Sequence, residues 1–238
     1  MSLIFLLLAC KDIEKNVFEI DTGDNDIPIP SSEIEEDSGF ENLFEDPITV
    51  NYTFNDSDSL LYVQVYKDED AAASGLSHDH VMRATNWSGF VSYNPANIDE
   101  CTMQFSLPVH DLQVDEDAMR ELVGYGNTIS QPDRETIREH MLANNQLNAS
   151  EYPSISFTSS ECQLLDEETL KVIGDMTIKN EVRTWDIDVR FTAQSNALYI
   201  SSIIDFTHSD FGIEPYSAFF GAVRNAEPLK ITFDMVGY

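Results

Sequence analysis

Basic residues are scarce in this chain: 13 Lys and Arg stand against 43 Asp and Glu in 238 positions, a formal net charge of −30. A nucleic-acid surface replaces counterions with clustered Lys and Arg, and an anionic membrane attracts similar clusters, so this balance excludes a basic face toward either. No apolar run approaches the length of about 18 residues that reads as a transmembrane helix. Glycine and proline are few, 10 and 9, which excludes collagen-like and generally disordered chains. The motifs of common enzymes are missing too: there is no Gly-x-Ser-x-Gly, Walker loop, Cys-x-x-Cys or His-Glu-x-x-His. Ser77-His78-Asp79 brings triad residue types together only in sequence; along a strand His78 and Asp79 point to opposite faces. The chain reads as a binding protein, not an enzyme, with no cofactor expected.

What is present begins with an address. Leu3–Leu8 is apolar, and Leu7-Leu8-Ala9-Cys10 resembles the lipobox of bacterial lipoproteins, in which the leader is cut before a cysteine that then carries the lipid. The alternative is a plain secretory leader or an apolar N-terminus without that role. Residues 1–10 are expected to form this segment, placing the protein in a bacterial cell envelope, periplasmic or cell-surface, with Cys10 as lipid anchor. Residues 11–46 hold 13 acidic and 2 basic residues. Such a segment cannot bury enough surface to offset its ordering entropy, and its like charges extend it, so a disordered linker is expected.

From Ile48 onward the dominant period is two. Ile48, Val50, Tyr52 and Phe54 alternate with polar residues, as do Cys101–Val109, Trp185–Phe191 and Leu229–Met235. This is the pattern of half-buried strands. Further strands are expected at Leu60–Tyr66, Val81–Tyr93, Ile155–Ser159, Leu170–Ile178 and Ala197–Phe206. Only Glu116–Gly124 and Pro132–Leu142 read as helices, the second opening on a first-turn proline with Asp133 and Glu135 near its positive end. Many strands, few helices and no βαβ alternation predict an all-β fold, an antiparallel barrel or sandwich, over residues 47–238. Closure removes exposed edges, and eight strands enclose room for packed side chains or one small ligand.

Four local patterns in order resemble the YceI-like family of lipocalin-like proteins. They are Ser77-His78-Asp79-His80 leading into Trp87-Ser88-Gly89-Phe90; Arg138-Glu139-His140-Met141-Leu142 followed by Tyr152-Pro153-Ser154-Ile155-Ser156-Phe157; Gly174-Asp175-Met176-Thr177-Ile178; and Asp210-Phe211-Gly212-Ile213 with the last strand, Leu229–Val236. The resemblance spans about residues 48–238. It differs in one turn, where Lys179-Asn180-Glu181 stands in place of a frequent glycine, and in a shortened Arg-to-His spacing at Arg138–His140. The resemblance implies an extended eight-stranded antiparallel barrel whose interior holds a polyisoprenoid or similar long apolar lipid.

Such a chain needs no polar chemistry for binding, because burial of apolar area yields about 25 cal/mol per Å². Wall candidates are Phe90, Phe105, Leu107, Phe157, Met176, Trp185, Ile187, Val189 and Phe233, each of which also reads as ordinary core. Arg138, His140 and Tyr152 are candidate donors to a headgroup at the mouth; Arg138 reads equally as a structural ion-pair partner. His78 and His80 would share a strand face at i and i+2, so a metal site is the alternative function. A solid barrel acting as an interaction module is the third reading. With Cys10 assigned to lipid, Cys101 and Cys162 remain, an even pair that in an exported protein favours a disulfide. It would form if the two strands pair with Val109 opposite Ser154. The strand acids Asp186, Asp188 and Asp234 are expected on a solvated outer wall. The sequence leaves monomer and homodimer open.

Overall fold

The computed structural model describes residues 49–238; the expected leader, Cys10 and the whole expected linker lie outside the described residues. Twelve strand segments follow one another: β1 Val50–Asn55, β2 Leu60–Lys67, β3 His80–Ala84, β4 Ser88–Asn94, β5 Asn97–Pro108, β6 Leu112–Val114, β7 Ser154–Asp166, β8 Thr169–Ile178, β9 Glu181–Gln194, β10 Ala197–Thr207, β11 Ser217–Ala218 and β12 Val223–Gly237. Two helices, α1 Asp117–Leu122 and α2 Gln131–Leu142, lie between β6 and β7.

Three pairs of consecutive segments, β1 with β2, β3 with β4 and β5 with β6, are single strands with a bend. β1 pairs with β4 and β4 with β5, while β2 pairs with β3 and β3 with β6. Counted this way, eight antiparallel strands close into a barrel. β12 joins β10 along one edge and β2, then β1, along the other, with Phe54 opposite Gly237 at the closure. The stretch expected as one strand, Val81–Tyr93, is broken at Thr85–Trp87. There Asn86 takes a left-handed φ of 54° and its N–H donates to Asp56 Oδ2 at 2.9 Å. A local polar partner redirects the chain where the apolar alternation gives no warning.

The interior follows from alternation. In β12, Leu229, Ile231, Phe233 and Met235 are buried, while Asp234 between them is exposed. Asp186 and Asp188 of β9 also face outward, where Lys171 Nζ bridges them at 2.8 and 3.8 Å. Tight curvature is achieved by glycines under aromatic rings. A Cβ on Gly89 would lie 2.3 Å from the Phe105 ring, and one on Gly237 would lie 2.5 Å from that of Phe54. Each glycine is the cross-strand partner of the ring that covers it. At the β8–β9 hairpin, Lys179 and Asn180 both take left-handed φ, 53° and 63°. This is the primed turn that matches strand twist, made here without glycine.

Cys101 of β5 and Cys162 of β7 form a disulfide with Cα atoms 5.8 Å apart. The register around it differs from expectation by one residue: Pro108, not Val109, faces Ser154, and Gln104 faces Thr158. Further along β7 the pairing with β8 shifts between Ser159 and Glu161. That extra residue advances β7 by one and brings Cys162 level with Cys101.

Candidate ligand-binding site

The barrel interior is hollow. An inner cavity of about 120 Å³ runs among Met103, Phe105, Phe157, Val172 and Ile231. A second, of about 190 Å³, lies toward the end covered by α2 and Asp210–Ile213. Val63, Met82, Leu107, Leu112, Ile155, Ile178 and Phe206 line both, so the two cavities adjoin and together make a two-chambered tunnel. Of the expected wall residues, Phe105, Leu107, Phe157, Met176, Ile187, Val189 and Phe233 line it.

Two do not. Phe90 faces outward and is 37% exposed, because Gly89 takes the inward position to admit the Phe105 ring. Trp185 packs against Phe206 and Phe211, each 5.5 Å away between ring centroids, and sits behind the wall. Trp87, named for the resemblance but not as a wall residue, lines the inner cavity. Its indole Nε1–H is buried without a hydrogen-bond acceptor among the described residues.

The mouth carries the polar groups. α2 starts from Ser130, whose side chain accepts from Asp133 N–H, and places Ile137 and Met141, four residues apart, on the cavity. His140 stacks on Tyr216 with ring centroids 4.9 Å apart, and Gln146 Nε2 donates to the Glu214 carbonyl at 3.0 Å. These contacts lay the helical segment across the tunnel's end. Arg138 is not at the mouth: its guanidinium donates to the His110 carbonyl. Tyr152 also lies outside the lining, beside Glu151, whose hydrogen bond pushes the phenol pKa up. Sequence reasoning missed His208, Tyr216 and Asn225, which line the mouth instead; the stretch Asp210–Ile213 was the nearest signal.

His78 and His80 do not form a shared strand face. β3 begins at His80, and His78 precedes it. His80 lines the mouth, and its Nδ1 lies 2.6 Å from Oδ2 of the fully buried Asp115. Oδ1 of Asp115 accepts from Arg120 Nη1 at 2.7 Å and from Val81 N–H at 3.0 Å. His80 is thus held by a buried ion pair. No group of three His, Cys, Asp or Glu side chains with metal-ligand spacing occurs among the described residues.

His208 gives the mouth a pH dependence. It is buried, and its Nδ1–H donates to the Glu227 carbonyl at 3.0 Å. Burial pulls its pKa below the usual 6.5 despite that bond and the Glu227 carboxylate. The folded imidazole resists the proton that the unfolded chain accepts. Its contribution to stability is therefore full above pH 6.5 and lost as pH falls through the lower folded value. Melting curves at pH 7.5 and 5.5 are expected to show a smaller drop in midpoint for His208→Gln than for the wild type.

A closed eight-stranded antiparallel barrel with an apolar interior and a polar mouth is a lipocalin-like β-barrel. The YceI-like domain model matches residues 52–236, and the chain belongs to that family. No curated protein matches it by sequence. Among solved structures, it is similar to BcnA of Burkholderia cenocepacia, with 15% identity, a TM-score of 0.54, and coverage of 74% of this chain and 95% of that one. It is also similar to a polyisoprenoid binding domain from Saccharophagus degradans implicated in plant cell wall breakdown. There the identity is 11%, the TM-score 0.52, and the coverage 78% and 97%. At these identities the likeness is one of fold.

Proposed function

We propose that this protein is an exported, lipid-anchored carrier that sequesters a polyisoprenoid or similar long apolar lipid in its barrel. The observation that carries this reading is the pair of adjoining cavities, the inner one walled almost entirely by apolar side chains from nearly every strand of the barrel. The name of the Saccharophagus degradans relative supports the ligand class. The Leu7–Cys10 pattern supports the anchor, with the acidic segment behind it as a tether between anchor and barrel. The tunnel binds and releases; no group in its inner part is arranged for bond breaking.

Native mass spectrometry tests this on the chain carrying Cys10→Ala, purified from a bacterial host without detergent. The expected result is an adduct of one apolar lipid, extractable into organic solvent. A bare mass, persisting after incubation with long-chain prenols, overturns the proposal.

Leu107 stands at the junction of the two cavities. Trp in its place blocks the passage and excludes at least one isoprene unit, five carbons, from the inner cavity. At about 0.8 kcal/mol per buried carbon, the loss is on the order of 3–4 kcal/mol, so affinity for a long prenol is expected to fall a hundredfold or more. Circular dichroism of Leu107→Trp should retain the strand spectrum. Unchanged prenol affinity would place the lipid elsewhere.

A further inference from the structure

Beside the mouth stands a short hairpin that the tunnel does not use. Ser217 faces Arg224 and Ala218 faces Val223, and Asn225 N–H donates to the Tyr216 carbonyl at 2.9 Å. Tyr216 and Asn225, at the base, line the mouth. The tip, Phe219–Gly221, lies only about 10 Å further at the usual rise of a strand. There Phe219 is 77% exposed and Phe220 is wholly exposed. Both hold a left-handed φ, 51° and 57°, a conformation costly for a bulky side chain. The fold thus holds two phenylalanines in strained backbone and projects them into solvent.

A second loop meets this one. Ala73 N–H donates to the Ala222 carbonyl at 2.8 Å, and three residues on Leu76 is 78% exposed. No charged residue occurs between Glu214 and Arg224, or from Ala71 to Ser77, in a protein of net charge −30. The cations at the base are both paired: Arg224 Nε lies 2.5 Å from Asp68 Oδ2 and Lys67 Nζ 3.1 Å from Glu69 Oε1.

We propose that Leu76, Phe219 and Phe220 form a docking tip that enters the surface of an uncharged lipid bilayer and brings the tunnel mouth to it. The tip is convex and three side chains wide, far short of the roughly 800 Å² per partner that a standard protein interface buries. A protruding apolar tip suits the boundary between headgroups and acyl chains. It also stands where a lipid leaving the bilayer would enter the barrel. The absence of basic residues from the tip itself and the acidic body select zwitterionic over anionic lipid. This inference rests on the proposed lipid-carrier function.

The test uses the full chain carrying Cys10→Ala, so that no acyl anchor contributes, and vesicles of phosphatidylcholine. The parent is expected to float with vesicles, and Phe219→Asn/Phe220→Asn to partition at least tenfold more weakly. Asn tolerates left-handed φ, so the hairpin should keep its shape. Prenol retention measured in solution, without vesicles, should match in the two proteins; this separates the tip from the tunnel. In a second variant, Phe220→Trp, vesicles should shift the added indole's emission to the blue, and brominated acyl chains should quench it. A parent that ignores the vesicles overturns the docking tip even if it retains prenol. Equal flotation of parent and double Asn variant, or a parent that instead dimerises through the patch in sedimentation, overturns it too.

Discussion

Replacing Asp115 with Ala is expected to lower the unfolding free energy by about 3–5 kcal/mol. The carboxylate is wholly buried between β6 and α1, at a left-handed φ of 49°. Its oxygens accept from Arg120 and Val81 N–H and meet His80 Nδ1. Arg120 is itself buried; it also donates to the Asp79 and Asn127 carbonyls and lies 5.4 Å over the Tyr125 ring. The pair ties the start of β3 to α1 and to the loop at Asn127 that leads into α2. Removing only the acid strands a guanidinium in the interior, which costs more than the pair itself supplies. Urea titration of the cycle Asp115→Ala, Arg120→Met and the double variant checks the argument. The double variant should be more stable than Asp115→Ala alone, because the uncompensated charge is gone. Burial raises the Asp115 pKa, but His80, Val81 N–H and Arg120 together bring it below 3.8. The stability it confers is therefore full above pH 3.8 and lost as pH falls through the lower folded value.

The strands were legible because one face of each is buried, and period two survives any single polar exception. β12 shows this plainly: four buried apolar residues, with polar ones between. Where the inward residue is glycine, the same rule misleads. Gly89 faces the interior so that Phe105 can lie over it, and Phe90, the conspicuous aromatic, is turned outward. Register failed for a related reason: the one-residue bulge near Ser160 leaves no mark on the apolar pattern, yet it decides which residue meets Cys101. The mouth was the least legible part. Arg138 and Tyr152 have the chemistry of headgroup donors, but their partners, the His110 carbonyl and Glu151, are set by how α2 and the following turn settle on the barrel. His208 and Tyr216 come from the segment between β10 and β11 and Asn225 from the start of β12, and only closure of the barrel brings them to the same place.

Reducing the Cys101–Cys162 disulfide is expected to cost about 4 kcal/mol. The bond closes a segment with a sequence separation of 61, and the chain-entropy relation gives this magnitude for a loop of that length. Its position suggests that little of this is made up elsewhere. The β5–β7 ladder runs from Pro108–Ser154 to Gln104–Thr158; beyond it a side-chain bond, Met103 N–H to Ser159 Oγ at 2.8 Å, and the disulfide join the strands. The enclosed loop contains β6, both helices and the Asp115–Arg120 pair, so the unfolded chain regains the freedom of the whole mouth when the bond opens. Denaturation of the wild type with and without dithiothreitol should show the midpoint falling on reduction. The Cys101→Ala/Cys162→Ala variant should match the reduced protein and ignore the reagent. A wild-type midpoint indifferent to dithiothreitol, with two free thiols titrated after treatment, would refute the expectation. A domain of this size has a net stability of only about 5–15 kcal/mol. A loss of about 4 would leave the barrel poorly suited to a reducing compartment, and the bond thereby supports the exported location proposed for the protein on the separate ground of its N-terminal sequence.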